Sequence, residues 1–229
     1  MTFWDFFRIW LLPNLFFWWF VFIAAAVASY PLVRRLRLWQ QKQRFIESQG
    51  RQLQNPQNAD ARFQLANIYA EGGGWRKALV YAQDAVRIAE ESPLFEGRPP
   101  HHFLRLLGEA CLRRGRHDEA VAAFRRALQE QTRGGPADAL FGLGRALLRK
   151  GDLEAAASAL REALHENGSN LEAYFRLAQA LAGLGRDADV AAVRSEFRAA
   201  AAALPRFARK RRLRWRAAFL LFPLARRIL

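Results

Sequence analysis

Cysteine is almost absent from this chain of 229 residues. Cys111 stands alone, which excludes an internal disulfide framework and any metal site built from several thiolates. Histidine is scarce too: there are four, and only His101 and His102 are adjacent. The sequence contains no glycine-rich phosphate loop and no Ser/His/Asp order, so no constellation for catalysis can be assembled from it. We expect no enzyme, no cofactor and no metal. Acidic residues are also few, 21 against 36 Lys and Arg, leaving a net charge of +15. Such an excess points to nucleic acid or an anionic membrane as a partner, and its location decides between them.

The excess is unevenly placed. Residues 1–33 hold one basic and one acidic residue; residues 34–58 hold six basic and one acidic. Residues 59–204 hold twenty basic and nineteen acidic, and residues 205–229 hold nine basic and none acidic. The middle of the chain is therefore nearly neutral, and the charge lies in two flanking segments. Between Ile9 and Val33 there is no charged side chain. A helix over Leu15–Val33 would be about 28 Å long, close to the ~30 Å hydrocarbon thickness of a bilayer. Trp4, Trp10, Trp18, Trp19 and Trp39 cluster in and beside this stretch. Arg34, Arg35 and Arg37 follow at once, where the positive-inside rule places the cytoplasm and where contact with lipid headgroups is expected.

Residues 1–33 thus read as an N-terminal transmembrane anchor and residues 34–58 as a basic juxtamembrane helix and linker. The implied protein is single-pass, of bacterial inner-membrane type, with everything after the anchor in the cytoplasm. Two other readings stay open. Ala26-Val27-Ala28 resembles a signal-peptide cleavage site, which would give an exported protein, and the apolar stretch could be a buried structural helix.

Over residues 59–204 the sequence repeats itself. Leu65-Ala66, Leu107-Gly108, Leu143-Gly144 and Leu177-Ala178 align, followed in step by Gly73, Gly115, Gly151 and Gly185. Five residues beyond each glycine stand Ala78, Ala120, Ala156 and Val190, and seven further on Ala85, Ala127, Ala163 and Phe197. Each copy reads as two amphipathic helices joined by a glycine turn, with small residues where the pair must approach closely. The copies lie near 59–92, 101–134, 137–170 and 171–204, and the first interval carries a loop insertion, Ser92 to Pro100. Its Leu94 and Phe95 are expected to fold back on the array rather than to meet a partner.

This pattern resembles the tetratricopeptide repeat family, most closely in the stretches FLRLLGEACLRRGRHDEAVAAFRRAL and ALFGLGRALLRKGDLEAAASALREAL. The fourth copy departs from it, with Arg194 at a core position and Phe197 where a small residue is usual, as suits a terminal repeat. The resemblance implies an all-α solenoid of about four helical hairpins whose first helices line a concave groove for a peptide or helix of a partner protein. Carried onto this chain, the groove positions are Phe63, Arg105, Phe141 and Phe175, then Asn67, Glu109, Arg145 and Gln179, then Glu71, Arg113, Arg149 and Gly183. Three aromatics and four arginines imply an acidic or amphipathic ligand. The competing reading has the arginines solvating helix surfaces and the phenylalanines packing between hairpins. A terminal-carboxylate clamp of the kind some relatives use is not expected, because Phe63 and Leu106 replace its basic residue and an Asn.

The last segment, residues 205–229, is a basic amphipathic tail. Arg209, Lys210, Arg211, Arg212, Arg214 and Arg216 surround Trp215, ahead of an apolar run, Ala217 to Ala225, too short to span a bilayer. We expect Trp215 and these basic residues to lie on an anionic membrane surface. An RNA-binding tail would share this composition, which makes a nucleic-acid-binding adaptor the alternative. The reading as a whole is a membrane-anchored scaffold, similar to anchored repeat proteins that assist envelope assembly, which recruits partner proteins without catalysis.

Overall fold

A computed structural model describes residues 58–130 and 136–205 continuously, together with scattered positions between 19 and 41 and residues 213, 215 and 217. Eight α-helices run through the continuous part: α1 (Ala59–Glu71), α2 (Trp75–Glu91), α3 (His101–Arg113), α4 (His117–Gln129), α5 (Ala137–Lys150), α6 (Leu153–Glu166), α7 (Leu171–Gly183) and α8 (Asp187–Ala203). No strand occurs among the described residues. Consecutive helices pair as four hairpins, each hairpin packs on the next, and the first helices α1, α3, α5 and α7 touch in succession. This is the all-helical solenoid that the repeats imply.

Local chemistry sets the helix ends. The Asn58 side chain accepts from the Ala61 N–H at 3.0 Å, and Asp152 and Asn170 cap α6 and α7 in the same way at 3.3 Å. The turns inside the four hairpins pass through Gly73, Gly115, Gly151 and Gly185, all with φ between 73° and 93°. A side chain is disfavoured in that left-handed region, so the spacing of these glycines in the sequence is the spacing of the turns.

A continuous core runs from Leu79 in α2 to Ala201 in α8, with smaller clusters under α1 and α3. Its tightest point is Phe124 of α4. A methyl carbon added to Gly108 of α3 would stand 2.9 Å from that ring, and one added to Gly142 of α5 would overlap it. Phe124 thus wedges between the first helices of two successive hairpins because both lack a side chain there. Cys111 is packed in the same core, and burial pushes its thiol up to about 11, so it is a neutral apolar group at ordinary pH. The last hairpin is less well filled. Arg194 stands where the preceding hairpins have Ala82, Phe124 and Leu160, and its Nε is enclosed without a hydrogen-bond partner. Phe197, in place of a small residue, meets Tyr174 edge-on at 6.4 Å.

In the insertion, a short 3-10 turn over Pro93–Phe95 splits the expected pair. Phe95 folds back onto Phe103 at 6.2 Å, whereas Leu94 projects and is 81% exposed. The expectation that both would fold back is corrected: a three-residue turn directs adjacent side chains apart, and the core has a place for only one.

No helix among the described residues is long and apolar enough to cross a membrane. The expected anchor over residues 1–33 falls largely outside the described residues, as do Arg34 and Arg35 and, in the tail, Arg209, Lys210, Arg211, Arg212, Arg214 and Arg216. Arg37 is helical and exposed.

Two substitutions test this packing. Gly142→Ala gains about 1 kcal/mol of helix propensity but overpacks the Phe124 site at a cost of ~1–3 kcal/mol, so a lower thermal midpoint is expected. Arg194→Leu removes an enclosed polar atom from a core position and should raise the midpoint, by about 1 kcal/mol of stability in calorimetry or denaturant titration.

Candidate functional site: an arginine-lined groove

The first helices of the second, third and fourth hairpins bring residues far apart in sequence to one face. Arg113 lies at the end of α3, Arg145 and Arg149 at four-residue spacing on α5, and Glu172 and Arg176 at four-residue spacing on α7. They line a cavity of about 560 Å³, with Leu112, Leu148 and His117 also in its wall.

The charges are held by specific contacts. Glu109 accepts from Arg113 Nε within α3 and from Arg145 across to α5, both at 2.9 Å. Arg113 and Arg145 also lie against aromatic rings, Trp75 at 5.1 Å and Phe141 at 5.4 Å. Arg176 pairs with Glu172 at 3.3 Å and donates to Gln179 at 3.0 Å. Burial lowers the Arg176 pKa; Glu172 pushes it back up, and the Arg145 and Arg149 charges lower it further. Arg113 and Arg145 share Glu109, Arg176 pairs with Glu172, and Arg149 is exposed with no ion pair among the described residues. Arginine presents a planar fork of donors that matches a carboxylate in two-point contact, so the surplus suits an anion bearing several oxygens.

The groove positions expected from the sequence divide. Arg113, Arg145 and Arg149 converge on the cavity, and Phe141 sits beside it under Arg145. Phe63 is taken up inside the array, stacked on Phe103 at 4.6 Å and touched edge-on by His102 at 4.8 Å. His102 is correspondingly part of the packing; burial, reinforced by His101, lowers its pKa. Arg105 is exposed and Asn67 half-buried, and neither lines the cavity. Phe175 is covered by Trp215, ring centroids 5.6 Å apart and planes 44° inclined.

Trp215 is thereby a correction. It was expected on a membrane surface, but it is 7% exposed and belongs to the core of the array. A large indole gains more from a preformed aromatic wall than from a partly wetted interface. Glu172 and Arg176 were missed by the family's groove positions. Their i,i+4 acid–base spacing was visible in the sequence, but Gln64, Leu106 and Gly142 hold the position equivalent to Arg176, so no repeat pattern singled it out.

Removing one carboxylate should separate stability from recognition. Glu109→Gln is expected to lower the thermal midpoint slightly, since a half-buried ion pair contributes ~1 kcal/mol. The same change should tighten binding of an anionic peptide measured by fluorescence anisotropy, because it frees positive charge in the groove.

Residues 102–165 and 141–193 match two models described as tetratricopeptide repeat. No curated protein matches the sequence significantly. Among solved structures, a MamA crystal structure is 19% identical with a TM-score of 0.60, over 70% of this chain and 91% of that one. PilW, titled a widely conserved type IV pilus biogenesis factor, is 19% identical with a TM-score of 0.61, over 80% of this chain and 77% of that one. YrrB, titled a TPR protein with an unusual peptide-binding site, is 18% identical with a TM-score of 0.53, over 67% and 72%. At these identities the likeness is one of fold, and the family matches identify tetratricopeptide repeats within residues 102–193 of this chain.

Proposed function

We propose that this chain is a tetratricopeptide scaffold, held at a membrane by its N-terminal segment, whose groove takes an acidic stretch of a partner protein on the cytoplasmic side. The observation that carries the reading is the arginine surplus around the cavity. Arg113, Arg145, Arg149 and Arg176 line, with Glu172, a concavity large enough for several side chains, and Glu109 pairs with Arg113 and Arg145 beside it. The aromatic half of the sequence-based expectation weakens, because Phe63 and Phe175 are covered by the chain itself. Charge complementarity is then the main source of selectivity and of fast encounter. The peptide-binding site named for YrrB supports a peptide as the kind of ligand, and the pilus biogenesis role named for PilW is in keeping with a part in envelope assembly. The role is one of holding and recruiting, without catalysis.

Membrane attachment draws support from the described part of the N-terminal stretch. Trp19, Phe20 and Phe22 are helical and 67%, 72% and 74% exposed. Adjacent large apolar side chains left uncovered by the array need another apolar environment, and the bilayer is the one that the length of the stretch fits.

The test uses the full chain in detergent or nanodiscs and a fluorescein-labelled hexaglutamate peptide. Binding is expected at low salt and should weaken as salt rises. Arg145→Glu with Arg149→Glu should reduce it by roughly a hundredfold, as removal and reversal of charge-assisted contacts would. Unchanged affinity in the doubly reversed protein would refute the groove assignment. Extraction of the chain from membranes by alkaline carbonate would refute the anchor.

A further inference from the structure

One repeat position is filled differently in the third hairpin. In α3, Glu109 stands four residues before Arg113 and accepts from it at 2.9 Å. The equivalent pair in α5 is Arg145 and Arg149, two like charges at the spacing that makes side chains neighbours on a helix. Arg145 takes its carboxylate from the preceding hairpin, with Nη1 donating to Glu109 at 2.9 Å. Arg149 has no ion pair or hydrogen bond of its side chain among the described residues. In α7, burial lowers the Arg176 pKa, Glu172 raises it, and the charges of Arg145 and Arg149 lower it further, so the three guanidiniums act on one another. All three line the same cavity from two adjacent helices.

The number of acceptor oxygens distinguishes the anions such a cluster suits. A carboxylate has two oxygens and is matched by a single guanidinium fork in two-point contact. A phosphomonoester has three terminal oxygens and a charge of about −1.5 to −2 at neutral pH, so it accepts from forks arriving on different sides. We propose that the α5–α7 side of the cavity is a phosphate subsite, which takes a phosphoserine or phosphothreonine within the acidic stretch of a partner protein. This rests on the groove reading above and makes phosphorylation of the partner a control on its recruitment. A protein-borne phosphate fits better than the free ion, because the cavity of about 560 Å³ is much larger than the ion and extends to Arg113 at the end of α3, leaving places for flanking residues. The preference turns on Arg149. It is exposed and unpaired, and its planar fork closes on the third oxygen when Arg145 and Arg176 hold the other two.

The deciding measurement uses the full chain in phosphatidylcholine nanodiscs and two fluorescein-labelled probes of nearly equal net charge. One is heptaglutamate, and the other is a hexapeptide of five glutamates around one phosphoserine. The phosphoserine probe should bind about tenfold more tightly, the gain expected from one more charge-assisted contact. Arg149→Lys keeps the charge and removes the fork; it should bring the ratio below about threefold while weakening heptaglutamate by only about twofold. Arg149 is exposed, so the substitution leaves the packing of the array intact. Equal affinity of the parent chain for the two probes would overturn the proposal. A preference that survives Arg149→Lys would place the phosphate elsewhere and also overturn it. Displacement of the phosphoserine probe by inorganic phosphate or by short-chain phosphatidic acid, at the concentration at which the unlabelled peptide competes, would assign the site to a free ion or a lipid headgroup, against the proposal. In each of these outcomes, a loss of hexaglutamate binding in the Arg145/Arg149 reversal leaves the groove reading standing. A parent chain that binds neither the phosphoserine nor the glutamate peptides removes both.

Discussion

Phe124 fits only because Gly108 and Gly142 carry no side chains. That single close approach sets the distance between the first helices of the second and third hairpins, and within the third hairpin Gly144 against Leu160 repeats the contact of Gly108 with Phe124. Once α3, α5 and α7 are held side by side at this spacing, residues separated by a whole repeat become neighbours. Glu109 can then bridge Arg113 on its own helix and Arg145 on the next, 36 residues away in sequence, with both contacts at 2.9 Å. The cavity is a consequence of the same constraint. Its walls belong to different hairpins, and a shift in their spacing would change which charges meet.

The distribution of ion pairs leaves one face of the nearly neutral array lined by arginines. Elsewhere on the surface three cations reach anions on the neighbouring hairpin: Arg126 reaches Glu90 at 2.5 Å, Lys150 reaches Asp118 at 2.7 Å, and Arg186 reaches Glu154 at 3.8 Å. Exposed pairs of this kind contribute little individually. At the cavity, four guanidiniums stand beside two carboxylates, Glu109 and Glu172. A net charge of +15 for the whole chain therefore understates the structure of the problem. It combines two basic flanks with an array of twenty basic and nineteen acidic residues, four of whose arginines line one cavity.

Much of the fold could be read from the sequence because turns and close contacts leave strict marks. Gly73, Gly115, Gly151 and Gly185 recur in step because each occupies a left-handed turn, and Ala85, Ala127 and Ala163 recur because helices meet there. The binding face was only partly legible. Register tells which side of a helix a residue stands on, and Arg113, Arg145 and Arg149 share one side and line one cavity. It does not tell what else competes for that side. Phe63 was claimed by Phe103 and His102, and Phe175 by Trp215, through contacts made across intervals no repeat pattern encodes. Trp215 was misread for a related reason: a tryptophan among arginines has the composition of a membrane-surface segment, whereas its location depends on an aromatic partner forty residues earlier.

The central claim is that this chain recognises an acidic partner through the arginine groove, and in-cell photocrosslinking tests it most directly. A photoreactive residue would be placed either at position 149, on the cavity rim, or at position 161, an exposed position of α6 outside the cavity. Mass spectrometry would then identify the crosslinked peptides. The account predicts that position 149 captures defined segments rich in Asp and Glu that position 161 does not. Capture of the same peptides from both positions, or of neutral and basic segments from position 149, would contradict it.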